Sequence, residues 1–129
     1  MMEMKKVELV IEKGEKGLWG SVKYNHNLIA DTGTDLAELE SKLKNRLQEF
    51  EDVDPETVAF EHTYDVFALF QEFDFLNISK VAKYAEINAG LLRQYASGVK
   101  HPSLNQAKKI EETLHRLAAQ LQKVSVYAA

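Results

Sequence analysis

Apolar and polar residues alternate in three short stretches at the start of the chain, a pattern that predicts three β-strands. The strands are expected at residues 6–13, 18–24 and 28–32, with turns at residues 14–17 and 25–27. An apolar stripe at helical spacing then predicts a helix from residue 35 to about residue 49, formed by Leu36, Leu39, Leu43, Leu47 and Phe50. Asp35 and Glu38 fit a capping box at its start, with Thr34 as the alternative cap.

Residues 57–64 alternate once more and predict a fourth strand. The order β-β-β-α-β would bury the leucine stripe against one face of a small, antiparallel-type sheet. We assign residues 1–64 to this domain. Helical periodicity dominates afterwards, so residues 65–129 are assigned to an all-α domain, and the expected fold class is α+β.

Two short helices joined by a tight turn, within residues 78–103, are the centre of the second domain. Ser79 and Asn88 are the expected N-caps of the two helices, because their side chains can accept a free backbone N–H. Ile87 falls in the turn, where an apolar side chain fills the angle between the helices. The expected inner faces carry Val81, Ala82, Ala85, Leu91, Leu92 and Tyr95. Gly98 stops the second helix.

Further helices are expected on both sides of this pair. Residues 65–75 carry aromatic side chains at helical spacing and are interpreted as the first helix of the second domain, with an interface to a second chain as the alternative. Residues 103–123 predict a long helix whose first part closes the core and whose remainder is long enough to reach a partner subunit. Residues 124–127 are compatible with a short strand, including one exchanged between chains.

The two short helices resemble the helix-turn-helix of the lambda-repressor-like (XRE) family. In that pattern an alanine is followed five residues later by an apolar turn residue, and further apolar residues come five and eight positions after that. Here these positions are Ala82, Ile87, Leu92 and Tyr95. The family usually has glycine just before the turn residue, whereas this chain has Glu86, which implies a strained residue or a turn of different shape.

The first domain resembles the HicB antitoxin family, whose N-terminal half is a truncated RNase H-like domain. The resemblance covers residues 6–64 and rests on the strand–turn–strand opening and on Gly33-Thr34 leading into a leucine-rich helix. A Pro-Gly-Cys-like turn that is common in the family is replaced by residues 25–28. This domain followed by an XRE-like domain is a known HicB architecture.

Charge is divided unequally along the chain. Residues 1–76 contain 8 Lys+Arg and 17 Asp+Glu, whereas residues 77–129 contain 8 and 3. Basic side chains neutralise phosphates, so the basic half is the candidate for a polyanion. The chain has no cysteine, no apolar run that could span a membrane and no apolar core of a signal peptide near its start, so we expect a cytoplasmic location.

Helix-turn-helix proteins place the start of the second helix in the major groove. The residues expected at base edges are Asn88, Ala89, Gly90, Arg93 and Gln94. Arg93 can pair bidentately with a guanine, Gln94 with an adenine, and Ala89 can touch a thymine methyl. Phosphate contacts, which position the protein, are expected from Ser79, Lys80, Lys100 and His101. Ordinary solvated side chains are the alternative for each of these residues, including the lysines, Arg93 and Gln94.

No catalytic residue, metal site or cofactor is expected. A nuclease of the RNase H type needs carboxylates that converge on divalent metal ions, and the acids on or near the predicted strands show no such set: Glu8, Glu12, Asp31 and Glu61. The four histidines have no metal-ligand spacing, and the glycines near residue 17 lack the rest of a phosphate-loop signature. The resemblance is likewise to a non-catalytic version of the fold.

The resemblance implies an antitoxin of a type II toxin–antitoxin system. The first domain would neutralise a HicA-like, mRNA-cleaving toxin, through a surface that the sequence does not define, and its acidic balance suits a basic partner. The second would bind double-stranded operator DNA, as a homodimer or higher even-numbered homo-oligomer, and repress the operon. The alternative is a stand-alone XRE-type transcriptional regulator whose first domain dimerises or senses a signal.

Overall fold

The computed structural model describes residues 3–128. The fold class is α+β, with a four-stranded mixed sheet and five α-helices in this range. The chain divides into two compact units, Met1–Glu72 and Phe73–Ala129. None of the helices in the described range is long and apolar enough to cross a membrane.

The boundary between the units lies later than the predicted division after residue 64. The helix that follows the sheet, α2 (Val66–Glu72), belongs to the first unit rather than to the second. Ala68 of α2 is part of the core beneath the sheet, and the carboxylate of Asp65 accepts hydrogen bonds from the backbone N–H groups of Lys13 and Ala68 at 2.9 and 2.7 Å. These contacts fix α2 to the first strand.

The four strands of the first unit lie within two residues of their predicted limits: β1 (Lys5–Gly14), β2 (Gly17–Tyr24), β3 (Asn27–Gly33) and β4 (Val58–Tyr64). Their order in the sheet is β3-β2-β1-β4. β1, β2 and β3 pair antiparallel, but β4 pairs parallel with β1, so the expectation of an antiparallel-type sheet is wrong at this edge. The helix between β3 and β4 returns the chain to the same end of the sheet, so β4 must run in the direction of β3 and β1.

The helix that covers one face of the sheet is α1 (Leu36–Glu51). Leu39, Leu43 and Leu47 are completely buried between α1 and the sheet. Phe50 is exposed, so the buried stripe is one turn shorter than predicted. Asp35 is the N-cap and accepts the N–H of Glu38 at 2.8 Å, as the capping pattern predicts.

Side chains of α1 also reach the outer edge of β3. Arg46 Nε donates to Asp31 Oδ2 at 2.6 Å, and Lys42 Nζ donates to the Thr32 carbonyl at 3.1 Å. Burial raises the pKa of Asp31, but the hydrogen bonds from Arg46 and the Thr32 N–H, with the charges of Arg46 and Lys42, outweigh it. The pKa of Asp31 is therefore held below its ordinary value.

Asp31→Asn should lower the free energy of unfolding at neutral pH by about 0.2–1 kcal/mol, because Arg46 is half-exposed and the pair is screened. A carboxyl whose pKa is lower in the folded state stabilises the fold above its unfolded pKa and loses that effect as the pH falls through the folded pKa. Urea titrations read by Trp19, the single tryptophan, measure the difference between the two proteins. The difference in the free energy of unfolding should vanish in acid. A difference that does not change with pH would contradict the stabilising role of the charged Asp31 carboxylate.

The second unit contains α3 (Ile78–Ala85), α4 (Ala89–Ala96) and α5 (Leu104–Leu121). Leu92 from α4 and Ile110 from α5 are buried in its core. The part of α5 after Thr113 is half-buried or exposed. Residues 124–127 form no strand, although the sequence is compatible with one, because no strand in the described range pairs with them; their side chains are exposed.

Candidate nucleic-acid interface

The start of each short helix is fixed by an asparagine. Asn77 Oδ1 accepts the N–H of Lys80 at 3.0 Å and caps α3, so the expectation that Ser79 is the cap is wrong. Asn77 has the extended backbone of an N-cap, whereas Ser79 already lies in the first turn of α3. Asn88 Oδ1 accepts the N–H of Leu91 at 3.1 Å and caps α4, as predicted.

The turn between the helices depends on Glu86 and Ile87. Glu86 adopts the left-handed conformation, with φ 56° and ψ 44°, which confirms the strained residue that the sequence allowed for. The Ile87 N–H donates to the Ala82 carbonyl at 2.9 Å, and the Ile87 side chain is buried in the angle between the helices. The turn therefore keeps the geometry that glycine would favour, although glycine is absent.

Glu86→Gly should stabilise the second unit by about 0.5–1 kcal/mol. Glycine adopts the left-handed conformation without the steric cost that other residues have, and this gain exceeds the entropy cost of glycine's greater freedom in the unfolded chain. Glu86→Ala is the matched control: it removes the same charge but keeps the Cβ atom, so it should give no gain. Thermal unfolding followed by the helical circular dichroism signal measures both variants. Equal gains would show that charge, and not the backbone, is responsible.

The residues predicted to contact DNA lie on the surface of the second unit. All are exposed except Ala89, which is half-buried: Ser79, Lys80, Asn88, Ala89, Gly90, Arg93, Gln94, Lys100 and His101. Arg93 Nη2 donates to Ser79 Oγ at 2.8 Å, so the start of α3 and the middle of α4 meet at one point. Ser79 thus holds the guanidinium group of Arg93 rather than capping a helix.

Gln94 organises the loop that follows α4. Its carbonyl accepts the N–H groups of Val99 and Lys100 at 3.0 and 3.2 Å and the Ser97 hydroxyl at 3.1 Å. Lys100 is therefore tied to the end of α4, while Gly98, with φ 80°, makes the necessary bend. His101 is exposed in the next part of the loop, and within residues 3–128 no hydrogen bond connects it to the other predicted contacts.

One residue that supports this surface was missed in the sequence. Arg116 on α5 donates from Nη2 to the carbonyl of Tyr84 at 2.9 Å, at the C-terminal end of α3. A cation there also interacts favourably with the helix dipole. The two residues are 32 positions apart, and no local pattern could reveal the contact. Asn77 was also missed, although an asparagine before an apolar helix is a recognisable cap signal.

The two units differ in their balance of basic and acidic residues. Met1–Glu72 contains 8 Lys+Arg and 16 Asp+Glu, whereas Phe73–Ala129 contains 8 and 4. The ion pairs that the structure shows between described residues all lie in the first unit. Lys80, Arg93 and Lys100 have no carboxylate within 4.0 Å in the described range, so their charges face solvent uncompensated by close acids.

The four acids considered for nuclease chemistry do not come together. Glu8 and Glu61 are neighbours on β1 and β4, and Glu12 lies on the same face of the sheet. Asp31 lies on the opposite face, where it is bound to Arg46 of α1. The sheet separates Asp31 from the other three, so the set cannot hold a common ion. No group of three or more potential ligands in the described range could hold a metal ion.

Comparison of the chain with protein-family models, with curated proteins and with solved structures found no match.

Proposed function

We propose that the chain is a transcriptional repressor whose second unit binds duplex DNA, with α4 in the major groove. The observation that carries this proposal is the Ser79–Arg93 contact on the outer face of α3 and α4. It holds a guanidinium group in an exposed position, beside Gln94 and without an acidic partner. Arginine held in this way can present two donors to the O6 and N7 atoms of a guanine.

The residues around Arg93 suit a close approach to DNA. Ala89 and Gly90 have no long side chain, so the first turn of α4 can come near the base edges. Gly90 also leaves room for the cap, since a Cβ atom there would lie 3.1 Å from Asn88 Oδ1. Lys80 and Lys100 then fall on either side of α4 in the sequence, where lysine is suited to phosphate contacts.

Arg93→Ala should weaken binding to a selected operator by about 1–3 kcal/mol and relax specificity at one base position. Lys123→Ala is the matched control, because it removes one positive charge from an exposed position beyond α5. Fluorescence anisotropy with a labelled duplex measures both at one fixed salt concentration. Equal losses in the two variants would show that binding depends only on net charge, and the assignment of Arg93 would fall.

A second function, capture of a basic toxin, is favoured by the charge of the first unit. Its twofold excess of acids over bases is complementary to a small, basic RNA-binding protein. We therefore propose that the repressor is also the antitoxin of a HicA-like RNase. Co-expression with a short basic reading frame beside its gene, followed by pull-down, should recover a complex. If the neighbour is toxic but does not bind, the stand-alone regulator is the better description.

A further inference from the structure

The sheet of the first unit has two edge strands that differ in chemistry. β4 is one edge, and its exposed side chains include Glu61 and His62, the kind of polar residues that discourage strand pairing. β3 is the other edge, and its exposed side chains include Leu28. Leu28 gives the β3 edge an exposed apolar side chain, and an edge strand is a template for another strand where its outward backbone groups are unpaired.

The turn before β3 determines which backbone groups face outward. Asn25 and His26 both have positive φ, 48° and 66°, and connect Tyr24 to its partner Asn27 in a two-residue hairpin. Tyr24 and Asn27 are then a hydrogen-bonded pair, and pairs alternate along an antiparallel ladder. The N–H and C=O groups of Leu28, Ala30 and Thr32 therefore point away from β2.

Only part of this outer row is already used. The Thr32 N–H donates to Asp31 Oδ1 at 2.7 Å, and the Thr32 carbonyl accepts from Lys42 Nζ at 3.1 Å. Thr32 is thereby closed to a further strand. Within the described range, the outward groups of Leu28 and Ala30 have no such partner. They form a short template of two donors and two acceptors.

This template lies along a groove whose lining is both polar and apolar. The groove has a volume of about 530 Å³ and is lined by Asn27, Leu28, Ile29, Ala30, Arg46, Phe50 and Glu51. Leu28 is 66% exposed and Phe50 61% exposed. Free backbone groups combined with apolar side chains at an edge are what β-strand addition requires: the backbone supplies hydrogen bonds, and the side chains supply buried area.

The chain itself carries a segment that fits this edge. Residues 124–127 read Val-Ser-Val-Tyr, a run rich in residues that favour strands, without charge, proline or glycine. Val126 is 94% exposed and Tyr127 86% exposed, and the segment has no strand partner for its backbone. Four residues in a strand span about 13 Å, enough to cover the outward groups of both Leu28 and Ala30.

We propose that residues 124–127 of one copy of the chain add as a strand to β3 of a second copy. Each copy has one β3 edge and one segment 124–127, so two copies can exchange segments reciprocally in a closed, two-fold symmetric dimer. The exchange would cover Leu28, Phe50, Val126 and Tyr127 together. This inference does not depend on DNA or toxin binding, and its test involves neither.

The absence of cysteine from the chain allows a direct test by disulfide trapping. Leu28→Cys or Ala30→Cys protein is mixed with Ser125→Cys or Val126→Cys protein and oxidised mildly, and a non-reducing gel reports the mixed dimers. The four mixtures cover both registers and both faces of the added strand, since disulfides need Cβ atoms about 3.5–4.5 Å apart. Glu61→Cys on β4, mixed with the same two partners, is the control.

We expect at least one β3 mixture to form mixed dimers at ten times the rate of the control. The proposal is overturned if no β3 mixture exceeds the control, because the segment then does not reach that edge of another copy. Ala30→Pro removes an outward N–H without breaking the ladder to β2 and should raise the dimer dissociation constant at least tenfold in sedimentation equilibrium. A chain that is monomeric at 100 µM (about one hundred times a 1 µM dissociation constant), or an unchanged constant in Ala30→Pro, would also overturn it.

Discussion

Leu92→Ala is expected to lower the free energy of unfolding of the second unit by about 2–5 kcal/mol. Leu92 has no exposed surface and lies in the α4 face that packs inward. The substitution removes the free energy gained by burying the leucine side chain away from water. It also leaves a cavity that short, capped helices cannot easily close. Since a small domain has about 5–15 kcal/mol of total stability, this loss should leave the second unit partly unfolded at moderate temperature.

Amide hydrogen exchange can follow the α3, α4 and α5 amides separately from those of the sheet. In Leu92→Ala the slowest of these amides should exchange faster by the factor that corresponds to the lost free energy. Leu104→Ala is the matched control, because Leu104 is the same residue type in the same unit but is 72% exposed. A similar loss in both variants would show that Leu92 is not a core residue.

Gly33→Ala should destabilise the first unit by about 1–3 kcal/mol, or more if the start of α1 cannot move. A Cβ atom at Gly33 would lie 2.7 Å from the backbone N of Leu39 and 3.0 Å from the Asp35 carbonyl oxygen. Both atoms belong to the capped first turn of α1, which is fixed by the hydrogen bond from Glu38 N–H to Asp35 Oδ1 at 2.8 Å. The clash is therefore with backbone and cannot be relieved by a rotamer change.

Gly20→Ala provides the comparison for Gly33→Ala. A Cβ atom at Gly20 would also have a neighbour at 2.7 Å, but this neighbour is the Cδ2 atom of the Leu39 side chain and not a backbone atom. A leucine side chain can shift where a helix backbone cannot, so Gly20→Ala should cost less. Urea unfolding followed by Trp19 fluorescence measures both variants. If Gly20→Ala lowered the free energy of unfolding more than Gly33→Ala, the first turn of α1 would not be the rigid neighbour of Gly33.

Local patterns predicted most of the elements. Alternation placed the four strands, and the leucine spacing placed α1, because burial on one face imposes a period of two on a strand and 3.6 on a helix. Asp35 and Asn88 were correctly predicted as caps because the N-cap preference is a local chemical effect. The left-handed conformation of Glu86 is one of the two outcomes that the sequence left open, a strained residue or a turn of different shape.

What the sequence did not predict depends on contacts between distant residues. The parallel pairing of β4 with β1 was missed because periodicity shows that a strand is half-buried but not which strand it joins. Helix α2 was assigned to the wrong side of the boundary, since its apolar residues do not reveal which core they enter. The exposed residues 124–127 show that strand propensity alone does not make a strand in the absence of a partner.

The candidate site was partly predictable. Its residues were named from their spacing, and all lie at the surface or half-buried. Their connections were not predictable: the bond from Arg93 to Ser79 spans 14 positions, and the bond from Arg116 to Tyr84 spans 32. These two contacts join neighbouring helices and depend on the angle at which the helices cross, which a one-dimensional pattern does not contain.

Recognition of a specific duplex sequence by α4 can be measured by selection from a pool of random duplexes with the purified chain. We predict enrichment of one motif with two-fold symmetric half-sites. The same selection with Arg93→Ala should retain the motif but lose the preference at one base position in each half-site. A pool that shows no enriched motif, or a motif that is identical for Arg93→Ala, would mean that α4 does not read the duplex sequence through Arg93.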